Sequence, residues 1–345
     1  MFLHEKCAYD DVCIILVLRY TEFLVVYLVC ICVLVYTDIK EEMKMRLCYL
    51  CKRSVEESEM ISGLHRSCFC KWFEVSEPDD FRDVVARSVE EPDEARDWAQ
   101  INTSFFHGKF RKYSARIGSQ SYILKVIQKE IPELPLTEYL CNQLARSLGL
   151  LVPDHYMILF QNELESFVSV NFMNNRPGSD LVHIYRYLDQ PKNYDCEHLL
   201  KIIEKEVGRY DAVVRFIELC LFDSLIGNND RHGRNLGLIR DANGTTLAPF
   251  YDNPCYLAME IPELLGAYHE PRGAIATFET NEPIMKDYVK EWFRLGFKEE
   301  VINFAKRINP QIIESLLNTS SLSTSRKNAI FRLIQRRYQE ICNAI

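Results

Sequence analysis

The sequence has no surplus of positive charge: 41 lysines and arginines face 49 aspartates and glutamates, a formal net charge of −8 over 345 residues. Without a field of positive potential to hold a phosphate backbone, direct nucleic-acid binding is not expected. It also has no internal repeat, and its thirteen cysteines are scattered rather than framed as a secreted disulfide scaffold. Cys141, Cys220 and Cys255 sit in apolar surroundings, where a free thiol behaves as a small hydrophobe. The expectation is a reducing, cytoplasmic setting.

A clean membrane span and a signal peptide are missing too. Residues 12–18 and 23–36 are apolar, but Arg19, Tyr20, Thr21 and Glu22 divide them, and a span needs about 20 apolar residues. Glu5, Asp10 and Asp11 stand where a signal peptide is basic, and Thr37-Asp38-Ile39-Lys40 where its small-residue cleavage site belongs. Two readings stand for residues 1–42: a non-native extension, with the true start at Met43 or Met45, or a membrane anchor made by residues 12–36.

What is present is ordinary globular material, 48% apolar and 26% charged. Residues 43–98 hold a small cysteine-containing segment and an acidic stretch, Glu74 to Asp97, that reads as a charged connector with some helix. In residues 99–175, short β-like runs (Lys109 to Ile117, Ser121 to Val126, Met157 to Phe160, Phe167 to Phe172) surround a helix from Leu136 to Leu148 that stops at Gly149. In residues 176–345 the helical period dominates: Glu197 to Val207, Ala212 to Ile226, Asp287 to Leu295, Glu299 to Arg307 and Arg326 to Cys342. The fold class read from this is an α/β half followed by a mainly helical half.

The stretch Asp223 to Asn235 begins on an apolar helix, is released by Gly227, and then crowds polar side chains into one loop. Asp230 and Asn235 are five positions apart, an interval that suits a carboxylate orienting an acceptor hydroxyl and an amide oxygen facing a divalent cation. Beyond them, Asn243-Gly244 is a strong hairpin signal. With that pair as the turn, Ala242 faces Thr245, and counting outward sets Asn235 opposite Asp252, so that both converge on one cation. Pro249, which has no N–H for the ladder, is the weak point of that register. The alternative is a polar loop that only hydrogen-bonds its own backbone.

Upstream, Lys125 is a single cation in the apolar run Ser121 to Val126, costly there unless paired. Glu138, at the start of the next helix, is its expected partner. Taken singly, the two also read as an edge-strand lysine and a helix-start acid.

Taken together these residues resemble the HipA family of bacterial serine/threonine kinases, the toxins of toxin–antitoxin pairs. The resemblance runs from about Phe105 to the C-terminus. It rests on Tyr122-Ile-Leu-Lys125, Thr137-Glu138, Leu144-Ala145, Gly149-Leu-Leu-Val-Pro153, Gly227-Asn-Asn-Asp230-Arg-His-Gly-Arg-Asn235 and Leu247-Ala-Pro-Phe-Tyr-Asp252. It implies a two-lobed protein-kinase-like fold, with a small sheet-containing N-lobe and a mainly helical C-lobe. By it, Lys125 with Glu138 would bind ATP phosphates, Asp230 would be the catalytic base, His232 would support the loop, and Asn235 and Asp252 would hold Mg²⁺. The substrate implied is another protein, with aminoacyl-tRNA synthetases as family precedent, and the partner a small DNA-binding antitoxin. In the glycine-rich loop Gly108 and Lys112 are kept, but Lys109, Phe110 and Arg111 replace the family's Val-Gln-Pro, and a pseudokinase that binds nucleotide without transferring phosphate is the rival reading. Phosphatidylinositol kinases share an Asp-Arg-His-x-x-Asn loop but follow it with an Asp-Phe-Gly-like motif, where this chain has Tyr251-Asp252-Asn253.

Finally, Cys48-x-x-Cys51 and His65-x-x-Cys68 are two ligand pairs spaced as in tetrahedral zinc sites, with Cys70 a substitute for one of them. The alternative is that His65 and Cys68 merely pack on an amphipathic helix ending at Trp72-Phe73.

Overall fold

A computed structural model describes residues 45–86, 111–190 and 193–345. The expectations placed on residues 1–42, including the stretch 12–36, and on Gly108 with the loop before Arg111, lie outside the described residues. Among those described, no helix is long and apolar enough to cross a membrane.

The chain begins with a short hairpin, β1 (Met45–Leu47) and β2 (Ser54–Glu56), and a two-turn helix α1 (Arg66–Phe73). A five-stranded antiparallel sheet follows in the order β3 (Arg82–Ala86), β4 (Arg111–Ile117), β5 (Gln120–Val126), β7 (Leu164–Val170), β6 (His155–Phe160). Helix α2 (Leu134–Ser147) leaves the sheet after β5 and returns to it at β6. Then come β8 (Asp180–His183), helices α3 (Cys196–Val207) and α4 (Tyr210–Ile226), the hairpin β9 (Gly237–Asp241) and β10 (Gly244–Leu247), and helices α5 (Met285–Arg294), α6 (Lys298–Arg307), α7 (Pro310–Thr319) and α8 (Thr324–Ala344). The arrangement is the two-lobed α/β-plus-α fold expected, with the sheet in the first lobe and helices dominating the second.

The period-2 alternation of the strands divides two cores. Tyr122, Leu124 and Val126 of β5 face outward and bury themselves with Cys48, Leu64, Phe69 and Phe73 of the N-terminal module. Met157 and Phe167 face the other way and join α2 and the helical lobe. Leu136, Leu140, Leu144 and Leu148, a helical turn apart, carry α2 into that second core, and its first turn accepts Pro135 because the N–H lost there has no intrahelical partner. Helix α4 is buried on every side from Leu219 to Ile226, so its C-terminal end delivers the following loop from a fixed base.

The acidic connector departs from expectation, because Arg82–Ala86 forms an edge strand with all five residues exposed and a bulge in its pairing to β4. A strand solvated on both faces carries no alternation in sequence, and its exposed charges protect the edge.

Candidate active site

The last turn of α4 buries Asp223, and Gly227 then ends the helix in the left-handed region at φ 70°. A Cβ at Gly227 would stand 2.6 Å from Pro271 Cγ and 2.8 Å from Leu333 Cδ2, so glycine is demanded by space as well as by conformation. Asn228 Nδ2 donates to Asp223 Oδ1 at 2.8 Å while Asn228 Oδ1 accepts from the Asp230 N–H at 2.9 Å, which fixes the loop at Asp230. Asn235 Nδ2 donates back to Asp230 O at 2.8 Å. That bond fixes the amide and leaves its oxygen as the end suited to a cation.

Arg231 sits under this loop, 1% exposed. Its Nε and Nη2 hold both oxygens of Asp223 at 2.7 and 2.9 Å, Nη1 donates to Asn235 O at 2.9 Å and to Tyr251 O at 2.6 Å, and Nη2 also reaches Asn253 Oδ1 at 2.6 Å. Burial works against the guanidinium, but Asp223 outweighs it and holds its pKa above the usual value. The sequence reading did not single out Arg231, Asp223 or Asn253, although a carboxylate inside an apolar helix signals a buried partner.

The hairpin register differs from the one expected. Asp241 pairs with Gly244 and Leu238 with Leu247, so the turn is Ala242-Asn243 rather than Asn243-Gly244. The cause is the Asp241 side chain, whose Oδ1 captures the Asn243 N–H at 2.7 Å and closes the turn one residue early. Extended outward, this register would set Asn235 opposite Phe250, not Asp252. The ladder ends beyond the Ala248 N–H bond to Gly237 O, at Pro249, and the Phe250 N–H turns to Leu151 O. Arg231 ties the two segments together at the backbone. The carbonyls of Asn235 and Tyr251 share its Nη1, so they lie no further apart than the sum of those two hydrogen bonds.

Asp252 follows in the left-handed region at φ 52°, a conformation that aspartate tolerates better than most residues. Its carboxylate meets two lysines from the sheet: Lys125 Nζ at 2.5 Å and Lys112 Nζ at 3.3 Å. These lysines face one another directly across β4 and β5, a repulsive pairing unless an anion lies between them. Lys125 also donates to Glu138 Oε1 at 2.5 Å, with both groups buried. Burial alone would push the Asp252 carboxyl up, but Lys112 and Lys125 outweigh it and hold it well below the usual carboxylate range. Burial opposes the Lys125 ammonium too, and Asp252 and Glu138 reverse that and raise it. Glu138, deepest of the set, is pushed up by burial despite Lys125, and its Oε2 has no hydrogen-bond partner among the described residues.

The structure therefore brings Lys112, Lys125, Glu138 and Asp252 into one charged cluster, with Asp230 and Asn235 on an adjoining loop tied to it through Arg231. His232 packs beside them. Burial lowers its pKa to about 4, and its Nδ1 accepts from the Arg234 N–H at 3.2 Å, so the ring supports the loop as a neutral group. Two cations, a carboxylate and an oriented carboxamide oxygen form a donor set that fits a phosphate chain with a hard divalent cation. Elsewhere, on the outer side of the sheet, Cys48, Cys51, His65 and Cys68 bring their ligand atoms within 4.8 Å of one another. Cys70 takes no part and turns to Ser76 O.

The model of the HipA-like C-terminal domain matches residues 99–312. Among solved structures, the Helicobacter pylori proinflammatory kinase CtkA superposes with a TM-score of 0.57 at 18% identity, covering 68% of this chain and 92% of that one. HipA from the Shewanella oneidensis MR-1 toxin–antitoxin system, seen with HipB and its operator DNA, gives 0.48 at 17%, covering 64% of this chain and 58% of that one. No curated protein matches in sequence. The CtkA likeness supports a two-lobed kinase-like fold.

Proposed function

Since the chain belongs to the HipA-like C-terminal domain family, we propose that it is a Mg²⁺·ATP-dependent kinase that phosphorylates a serine or threonine of another protein. The observation that carries this reading is the cluster in which Lys125 bridges Glu138 and Asp252, beside a loop that presents Asp230 and Asn235.

In this reading Lys125 holds the nucleotide phosphates, Glu138 keeps its ammonium in place from α2, and Lys112 adds charge from the neighbouring strand. Lys112 and Lys125, which pair with Asp252, are the cations a triphosphate would also meet. Asn235 Oδ1 and the Asp252 carboxylate would hold Mg²⁺, which when bound supplies charge neutralisation between the phosphates. Asp230 accepts the proton of the acceptor hydroxyl and aims its oxygen at the γ-phosphorus. Little covalent chemistry is asked of the protein, so positioning and charge carry the rate. Family membership makes a small DNA-binding antitoxin the partner to look for, by co-purification.

The test is Mg²⁺-dependent transfer of labelled γ-phosphate from ATP to the protein itself and to a cell lysate, with Asp230→Ala as control. Label that disappears with Asp230→Ala is expected. Equal label in both proteins would overturn the site, and Mg²⁺·ATP binding with no transfer would make the chain a nucleotide-binding regulator instead.

A further inference from the structure

We propose that Cys48, Cys51, His65 and Cys68 form a structural zinc centre that holds together the N-terminal module, which packs on the outer face of the sheet. It stands apart from the nucleotide reading and does not depend on it.

The four ligands come from two local frames that present them without rearrangement. Cys48 and Cys51 occupy the tight turn between β1 and β2, where the Lys52 N–H returns to Cys48 O and the Cys48 N–H to Arg53 O, both at 2.9 Å. Lys52 completes the turn in the left-handed region at φ 59°. His65 is the residue that opens α1, and Cys68 lies in the first turn of that helix. Zinc–sulfur bonds of about 2.3 Å and zinc–nitrogen bonds of about 2.0 Å, set tetrahedrally, place ligand atoms roughly 3.5–3.8 Å apart. Cys51 Sγ stands 3.4 Å and Cys68 Sγ 3.9 Å from His65 Nδ1, and every pair in the set lies within 4.8 Å.

The tautomer of His65 is fixed from outside. Its Nε2 is 3.0 Å from Ser54 O, and since a carbonyl only accepts, Nε2 carries the proton. In the neutral ring Nδ1, which faces the sulfurs, is then the nitrogen that can bind a metal, and Nε2–H on a carbonyl is the outer hydrogen bond that metal-bound histidines characteristically make. Four protein ligands close the shell, which marks a structural rather than a catalytic site. With three thiolates and a neutral imidazole the loaded centre carries one net negative charge, and the Arg53 guanidinium lies beside the Cys51 sulfur.

The module has reason to need such a staple. Its strands are three residues each and its helix eight, too little to build a core unaided. What it does bury is shared with the sheet. Phe73 packs against Tyr122 and Tyr156, ring centroids 5.5 and 5.0 Å apart, and Tyr49 Oη donates to Glu165 Oε1 at 2.7 Å. Leu64 and Phe69 lie in one cluster with Leu124, the neighbour of Lys125 in β5.

The experiment is metal analysis of the full chain purified from zinc-supplemented culture, as wild type, Cys51→Ser, Cys68→Ser and Cys342→Ser, the last removing an exposed thiol at the C-terminus. One zinc per chain is expected in wild type and Cys342→Ser, falling to none in the other two. Co²⁺ titration of wild type stripped of metal provides a readout that needs no variant to fold, because tetrahedral thiolate coordination gives intense visible d–d and charge-transfer bands. No zinc in wild type together with no such bands would overturn the proposal, as would zinc retained at one per chain by both cysteine variants.

Discussion

Arg231→Lys isolates what the guanidinium contributes beyond its charge. Arg231 uses all five of its N–H donors, two on Asp223 and one each on Asn235 O, Tyr251 O and Asn253 Oδ1. A lysine keeps the cation beside Asp223 but has three donors, so at least two acceptors lose theirs. Asp223 Oδ1 keeps the Asn228 donor, so one or two acceptors are left unmet at about 1–3 kcal/mol each, an expected loss of about 1–6 kcal/mol against a total stability of roughly 5–15 kcal/mol. Arg231→Met goes further, since it leaves Asp223 as an uncompensated buried charge, worth about 3–5 kcal/mol. Urea unfolding followed by tryptophan fluorescence, to which the buried Trp292 contributes, measures both, with an unchanged slope showing that the unfolded state is not what moved. Phosphate transfer by the folded Arg231→Lys protein should fall as well, because its Nη1 sets how closely the segments bearing Asn235 and Asp252 approach. A lysine variant within about 0.5 kcal/mol of wild type, the range of an ordinary surface substitution, with full transfer, would refute the assignment of Arg231 as the tie between them.

Asp230→Ala should lower turnover by about 10²–10⁴-fold, the usual worth of a general base, while leaving Mg²⁺·ATP affinity near wild type in a nucleotide-binding titration. Lys125→Met should destabilise the fold by about 3–5 kcal/mol, because Glu138 is then a buried carboxyl without its cation, and adding Glu138→Leu should recover much of that loss in the same unfolding assay. Gly227→Ala, forced into the left-handed region against Pro271 and Leu333, should cost at least about 1–3 kcal/mol by thermal or chemical unfolding. His155 titrates at about 4 because burial keeps it neutral, below its ordinary 6.5. The unfolded chain therefore binds the extra proton first, and the contribution of His155 is complete above pH 6.5 and lost as pH falls to 4. That loss is about 3 kcal/mol, and His155→Gln should flatten this part of a stability-against-pH curve.

Where a single chemical cost is concentrated in one side chain, the sequence was readable. Lys125 was legible as a cation needing a partner in an apolar strand, and Glu138 duly meets it. The helices with clear apolar period fall within two residues of their expected ends, as for α3 and α8. What escaped was set by partners distant in the chain. Asp180–His183 has no pattern of its own and becomes a strand only by pairing with Gly237–Asp241. Helix Pro310–Thr319 did carry a start signal, Asn309 before Pro310, whose side chain accepts from the N–H groups of Gln311 and Ile312. The loop from Asn228 to Asn235 was visible as polar, but nothing local told which side chain would turn inward, and Arg231 did. The hairpin was slipped by one competing interaction, the Asp241 carboxylate on the Asn243 N–H, a choice that propensity alone did not decide.

The buried polar side chains around Arg231 have a direction. Arg231 donates to Asn253 Oδ1, Asn253 Nδ2 donates to Asn142 Oδ1 at 3.0 Å, and Asn142 Nδ2 donates to Glu138 O at 2.8 Å. An amide both accepts and donates, so two asparagines relay hydrogen bonding from the loop to α2 without placing another charge beside Asp223 or Glu138. An aspartate at either position would lack the onward donor, and a leucine would leave a donor unmet on one side and an acceptor on the other. Such a chain is favourable inside a protein only when every link is made, which is the case here. Glu138 reaches Asp252 from above through Lys125, and its backbone reaches the Asp252 segment from below through Asn142 and Asn253. Side chain and backbone of one helical residue are thereby both tied to the Tyr251–Asn253 segment, which holds the spacing between the two lysines and the loop carrying Asp230 and Asn235.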